Sequence, residues 1–158
     1  MKVVKIALLV FTIAITILLF VFSFIMYSSS RSFQGASSAF FFLACTSAFS
    51  IFFHMKTFVY YPLQDFEKTI VELSKKYWAL HVSFGVIIFL LGMGMIIPAI
   101  KANDLALNQN GLIGGTGFLV FGMLTLIETY KLNKFVETYK ERRELEEDIE
   151  EIGGDTDS

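Results

Sequence analysis

The chain has 158 residues, of which 54% are hydrophobic, 16% aromatic and 18% charged, with a formal net charge of −2; its mean hydropathy is +0.61. An ordinary soluble domain carries about 25% charged residues, and one of this length cannot hide so much apolar surface. The composition therefore excludes a cytosolic enzyme domain, a nucleic-acid binder and a disordered chain. A single cysteine excludes an internal disulfide framework or a Cys-rich zinc site, which leaves an integral membrane protein.

Four stretches free of Asp, Glu, Lys and Arg follow one another: Ile6 to Ser30, Ser32 to Met55, Tyr77 to Ile100 and Leu105 to Ile127. Each contains an apolar core of about 20 residues, the length a helix needs to cross roughly 30 Å of hydrocarbon. A helix also satisfies its own backbone polar groups, as lipid requires. The expected fold is an all-α integral membrane protein: a four-transmembrane-helix bundle with both termini cytoplasmic. The helices fall at about 6–27, 36–58, 77–100 and 109–130, so that residues 1–130 form the transmembrane domain. The first apolar run is about twice the length of a signal-peptide core and no A-x-A-like site closes it, so it is read as an uncleaved helix.

With both termini inside, Lys2, Lys5, Lys56, Lys68, Lys75, Lys76, Lys131, Lys134, Lys140, Arg142 and Arg143 are cytoplasmic, and only Arg31 and Lys101 lie outside. This is a pronounced positive-inside bias, and Tyr60, Tyr61, Tyr77, Trp78 and Tyr130 fall at the matching aromatic belt. The expected location is the cell membrane, multi-pass.

The inner loop, 59–76, is expected to be partly helical. Phe66, Ile70, Leu73 and Tyr77 recur at helical spacing, and either Pro62 in a first turn or Asp65 as an N-cap would start such a helix. It would run straight into the third span or lie on the membrane surface. The fourth helix is expected to continue inward, because no Gly or Pro interrupts Glu128 to Ile152 before Gly153-Gly154. Residues 131–158 thus form a charged cytoplasmic helix and acidic tail. From Glu141 to Ser158 there are nine acids and two arginines, whereas the rest of the chain carries a net +5. This segment reads as a solvated helix or as a docking surface for a basic partner.

His54 and His81 are the pointed pair. His54 lies about 9 Å deeper than Tyr60, and His81 about 5 Å deeper than Trp78, at 1.5 Å per residue. The second and third helices run antiparallel, so both histidines share one depth in the inner leaflet. They are candidate axial ligands of a b-type haem; structural or pH-sensing histidines are the alternatives. Glu128 either accepts an imidazole N–H or simply opens the cytoplasmic extension, which is the reading adopted. No catalytic constellation, metal-ligand motif or nucleotide loop is present.

Gly85 and Gly92 are seven apart on the third helix. Gly115 and Gly122 repeat that spacing on the fourth, and Gly111 with Gly115 makes one GxxxG. These small residues let helices approach closely, within the bundle or at a homodimer interface. Cys45 reads as packing.

The expected function is that of a non-enzymatic membrane protein. Beyond the lipid bilayer it would act through a membrane-protein partner or a homo-oligomer, as an accessory or assembly subunit or as a sensory module. The alternatives are the haem protein and a small channel or transporter. The last would need Ser37, Ser38, Thr46, Ser47 and Ser50 to face inward together.

Overall fold

The computed structural model describes residues 2–30, 35–66, 69–70, 72–101 and 105–154, and their side chains except at 30, 36, 105–107 and 150–154. Four helices follow in order: α1 (Lys2–Ser30), α2 (Ala36–Thr57), α3 (Lys75–Lys101) and α4 (Leu105–Gly154). A 3-10 turn, Phe58–Tyr60, closes α2. All four helices contain a window long and apolar enough to cross a membrane. Among the described residues there is no strand.

Packing pairs the helices as two hairpins, α1 with α2 and α3 with α4, and α2 joins them through α3. Gly35 precedes α2 at φ 63, a left-handed conformation that a side chain would strain. Its carbonyl accepts the first bond of the new helix, from Ala39 N–H at 3.2 Å.

The α3–α4 seam is built on glycine. A Cβ on Gly92 would lie 2.6 Å from the Leu119 nitrogen and 2.7 Å from the Gly115 carbonyl oxygen. One on Gly122 would lie 2.7 Å from the Phe89 nitrogen and 2.9 Å from the Gly85 oxygen. Gly115 meets Ile96, Gly111 meets Ala99, and Gly85 meets Leu126 and Thr125. All five glycines singled out in the sequence thus lie against the partner helix of the same chain. Gly94 and Gly117 have nothing within 4 Å of the equivalent position.

Two apolar clusters form the interior. One joins Leu8, Ile15, Leu19, Ala44, Phe84, Ile88 and Phe121 across all four helices. The other joins Phe53, Tyr60, Tyr61 and Ile70 to Leu132, Phe135 and Tyr139 of α4, with Phe66 and Leu73 packed against it. This second cluster corrects the expectation that a helix carries Phe66, Ile70 and Leu73 toward the third span; of the loop 59–76, residues 59–60 and 75–76 are helical. Residues 61–66, 69–70 and 72–74 are not helical. Neither Pro62 nor Asp65 starts α3; the carbonyl of Ser74 accepts from Tyr77 N–H at 3.0 Å at its first turn. The apolar residues of the loop are spaced as in a helix, but they bind α4 instead. A short isolated helix is marginal in water, whereas a chain laid along α4 buries those side chains at once. Lys140 Nζ to Glu72 Oε2, 2.9 Å, and the Arg142 guanidinium 4.3 Å from the Phe66 ring centroid fasten the same contact.

Of the two helical extensions expected, only that of α4 runs well past its apolar span. The 50 residues of α4 make it about 75 Å long at 1.5 Å per residue. From Glu141 to Ile149 every residue is exposed, Leu145 by 61% and Ile149 by 68%.

Candidate functional site: a buried His-His-Glu-Lys centre

The space between the two apolar clusters is polar. Lys5 comes from the second turn of α1, His54 and Thr57 from the end of α2, His81 from the second turn of α3 and Glu128 from the middle of α4. All are at most 2% exposed. Antiparallel connection dictates the meeting: the start of α1, the end of α2 and the start of α3 share one end of the bundle, and α4 passes through it.

Lys5 Nζ lies 2.6 Å from Glu128 Oε1 and donates to Thr57 Oγ1 at 2.6 Å. Thr57 in turn donates to the Phe53 carbonyl at 2.7 Å. The Tyr61 hydroxyl reaches Glu128 Oε1 at 3.3 Å. Tyr61 stands just beyond the apolar span, and burial together with the Glu128 carboxylate pushes its phenol up. It therefore stays protonated and donates. His81 Nδ1 is 2.8 Å from Ser50 Oγ, and Phe53 lies flat on the His81 ring at 4.0 Å and 14°. His54 Nδ1 approaches Glu128 Oε2 to 3.4 Å without forming a hydrogen bond. Among the described residues, four buried side-chain atoms lack a hydrogen-bond partner: both nitrogens of His54, Nε2 of His81 and Oε2 of Glu128.

This centre overturns the reading of Glu128 as no more than the first charge of the extension, and it takes Lys5 out of the set of solvent-facing basic residues. Both side chains are sealed inside and paired with each other. Pairing is the physical reason. Either charge alone would be too costly to bury, and together they are tolerated. The sequence signal is a pair of opposite charges that flank the apolar stretches of α1 and α4 at the same end of the bundle.

His54 and His81 do meet, as their shared depth implied. Their ring centroids are 4.8 Å apart at 87°, an edge-to-face contact. That contact leaves no space for a porphyrin between them, Phe53 covers one face of His81, and Ser50 holds Nδ1. The two imidazoles do not fit as axial ligands of one haem. Nor do the serines and threonine of α2 face inward together. Ser37, Ser47 and Ser50 are buried, with Ser47 2.6 Å from Thr16 Oγ1. Ser38 and Thr46 are only half-buried and bond the carbonyls of Gly35 and Leu43. Such local bonds account for hydroxyls on an apolar helix without a pore.

Fold and site together define a four-helix protein with spanning-length helices and a sealed ionisable centre near one end. Compared with protein-family models, curated proteins and solved structures, the chain finds no match.

Proposed function

We propose that the chain is a multi-pass protein of a cytoplasmic-type membrane, with both termini inside, that acts without catalysis through a protein partner on its α4 stalk. Insertion is supported by large apolar side chains exposed along all four helices, among them Val10, Phe24, Phe42, Leu90, Ile97 and Met123. Water disfavours so extensive an apolar surface and lipid does not. Orientation rests on the lysines: Lys2, Lys56, Lys75, Lys76, Lys131 and Lys134 gather at the end that carries the buried centre, and Lys101 stands at the other. A reporter fused at Asp104, which lies outside the described residues, is expected to be accessible from outside. Labelling there only after the membrane is permeabilised would reverse the topology.

The observation that carries the partner reading is the bare end of α4. Beyond Arg142 the helix has left the loop that covers it, yet it continues to Gly154 with Leu145 and Ile149 exposed one turn apart. A free helix of about a dozen residues is marginal alone. A partner groove that covers these two residues, rimmed by basic side chains facing Glu144, Glu146, Glu147 and Asp148, would complete it. The acidic face is repelled by anionic headgroups, which favours a protein over the membrane surface as that partner.

The test compares the full chain with one truncated before Glu141, each purified in mild detergent. The full chain is expected to carry a partner or self-associate, and the truncated chain to run as a single copy. If both run as clean monomers, the stalk is not a docking element.

A further inference from the structure

We propose that His54, His81 and Glu128 form a binding site for one divalent transition-metal ion of the zinc class. The inference stands apart from the partner reading, since it concerns the core of the bundle and not the stalk. Three observations carry it. First, one ligating atom from each of the three residues lies within 4.8 Å of the others, and all three residues are buried. His54 Nδ1 and Glu128 Oε2, at 3.4 Å, are already spaced like two corners of a tetrahedron with bonds of about 2.1 Å. The widest gap exceeds that edge by about 1.4 Å, which torsion changes of two side chains can close.

Second, the atoms a metal would take are the atoms left over. His81 Nδ1 is occupied by Ser50 and Glu128 Oε1 by Lys5 and Tyr61. His81 Nε2, Glu128 Oε2 and the His54 nitrogens remain without hydrogen-bond partners in the interior. Native interiors rarely leave such groups orphaned. Outer partners that hold one side of a ligand and present the other, as Ser50 does for His81 and Lys5 and Tyr61 do for Glu128, are the usual support of a metal site.

Third, the donor set is selective. Two imidazoles and one carboxylate suit zinc and its neighbours rather than calcium or magnesium, which take oxygen ligands. Three protein ligands leave a fourth position for water. Lys5 opposes the cation, because its ammonium sits on the same carboxylate. Removing that charge in Lys5→Met is expected to tighten zinc binding by about tenfold or more.

The experiment uses the tag-free 158-residue chain in mild detergent, stripped with a chelator and titrated with zinc, cobalt or copper ions. Zinc is expected to bind at about one ion per chain, with cobalt giving the visible bands of a four- or five-coordinate site. Pulsed electron paramagnetic resonance of the copper form is expected to show two coupled imidazoles. The chain has two histidines, so two imidazoles on one ion per chain identify His54 and His81 without any variant. His54→Ala and His81→Ala should each abolish stoichiometric binding while the protein stays monodisperse. The proposal is overturned if wild type binds no more zinc than these variants, or if only one imidazole couples. It is also overturned if haem-supplemented expression gives a Soret band that disappears in either variant.

Discussion

Glu128→Ala is expected to destabilise the protein by about 3–5 kcal/mol, measured as a fall in thermal unfolding midpoint in detergent. The size of the effect comes from what is left behind. Lys5 Nζ has two partners, Glu128 Oε1 and Thr57 Oγ1, both at 2.6 Å, and Lys5 is 0% exposed. Without Glu128 the ammonium is buried with one hydroxyl and no counter-charge. Lys5→Met alone strands the carboxylate in the same way, although the Tyr61 hydroxyl at 3.3 Å gives it partial support. The double variant Lys5→Met with Glu128→Gln removes both charges. It is expected to recover most of the loss, because neither charge is left buried without its counter-charge and an amide oxygen at 128 still accepts from the Tyr61 hydroxyl. If the losses of Lys5→Met and of Glu128→Gln, each measured alone, simply add in the double variant, the residues do not act as a pair. The double variant should also lose the carboxylate donor of the proposed metal site while keeping the fold. That separates the structural part of Glu128 from its part as a ligand.

Gly92→Ala is expected to cost about 1–3 kcal/mol by overpacking, and Gly92→Leu to break the α3–α4 pairing. The new Cβ meets main-chain atoms: the Leu119 nitrogen at 2.6 Å, the Gly115 oxygen at 2.7 Å and Leu119 Cα at 3.0 Å. Main chain cannot rotate away as a flexible side chain does, so the two helices must separate. Gly122→Ala meets Phe89 and Gly85 main chain in the same manner and should behave alike. Gly94→Ala and Gly117→Ala are the controls. Nothing lies within 4 Å of either position, and alanine in a helix is favoured over glycine by about 0.5–1 kcal/mol. Thermal unfolding of the four variants under one condition checks the contrast. Equal destabilisation at all four positions would mean that glycine acts through helix propensity and not through the seam.

The seam and the centre also belong together. Helix α4 presents Gly115 and Gly122 to α3 and, from Gly122, Glu128 lies six residues toward the stalk. The close approach of α3 and α4 lets Glu128 sit near His81 at the depth where α2 delivers His54. Forcing α3 and α4 apart at Gly122 is therefore a route to disturbing the centre without touching it.

Much of this molecule was legible from the chain alone. Runs of about 20 apolar residues have one folded solution, the helix, because it alone satisfies its backbone within a single segment. The number and rough limits of the spans follow, and α4 runs through Glu128 to Gly154 because no glycine or proline stops it earlier. The five glycines were legible as a packing face because spacing by seven repeats one side of a helix. The shared depth of His54 and His81 followed from counting residues along two antiparallel helices.

Tertiary structure alone decided the rest. The inner loop has helical spacing yet lies non-helical along α4, since Phe66, Ile70 and Leu73 find more to bury against Leu132, Phe135 and Tyr139 than a lone turn of helix offers. Sequence places Lys5 and Glu128 near an interface, where each could equally be solvated. Which way a side chain faces depends on the rotation of its helix against three others, and no local pattern encodes that. Packing turned both inward, onto each other and beside the two histidines. The chain's composition thus determined four membrane-length helices, and only their packing turned four separate residues into one buried centre.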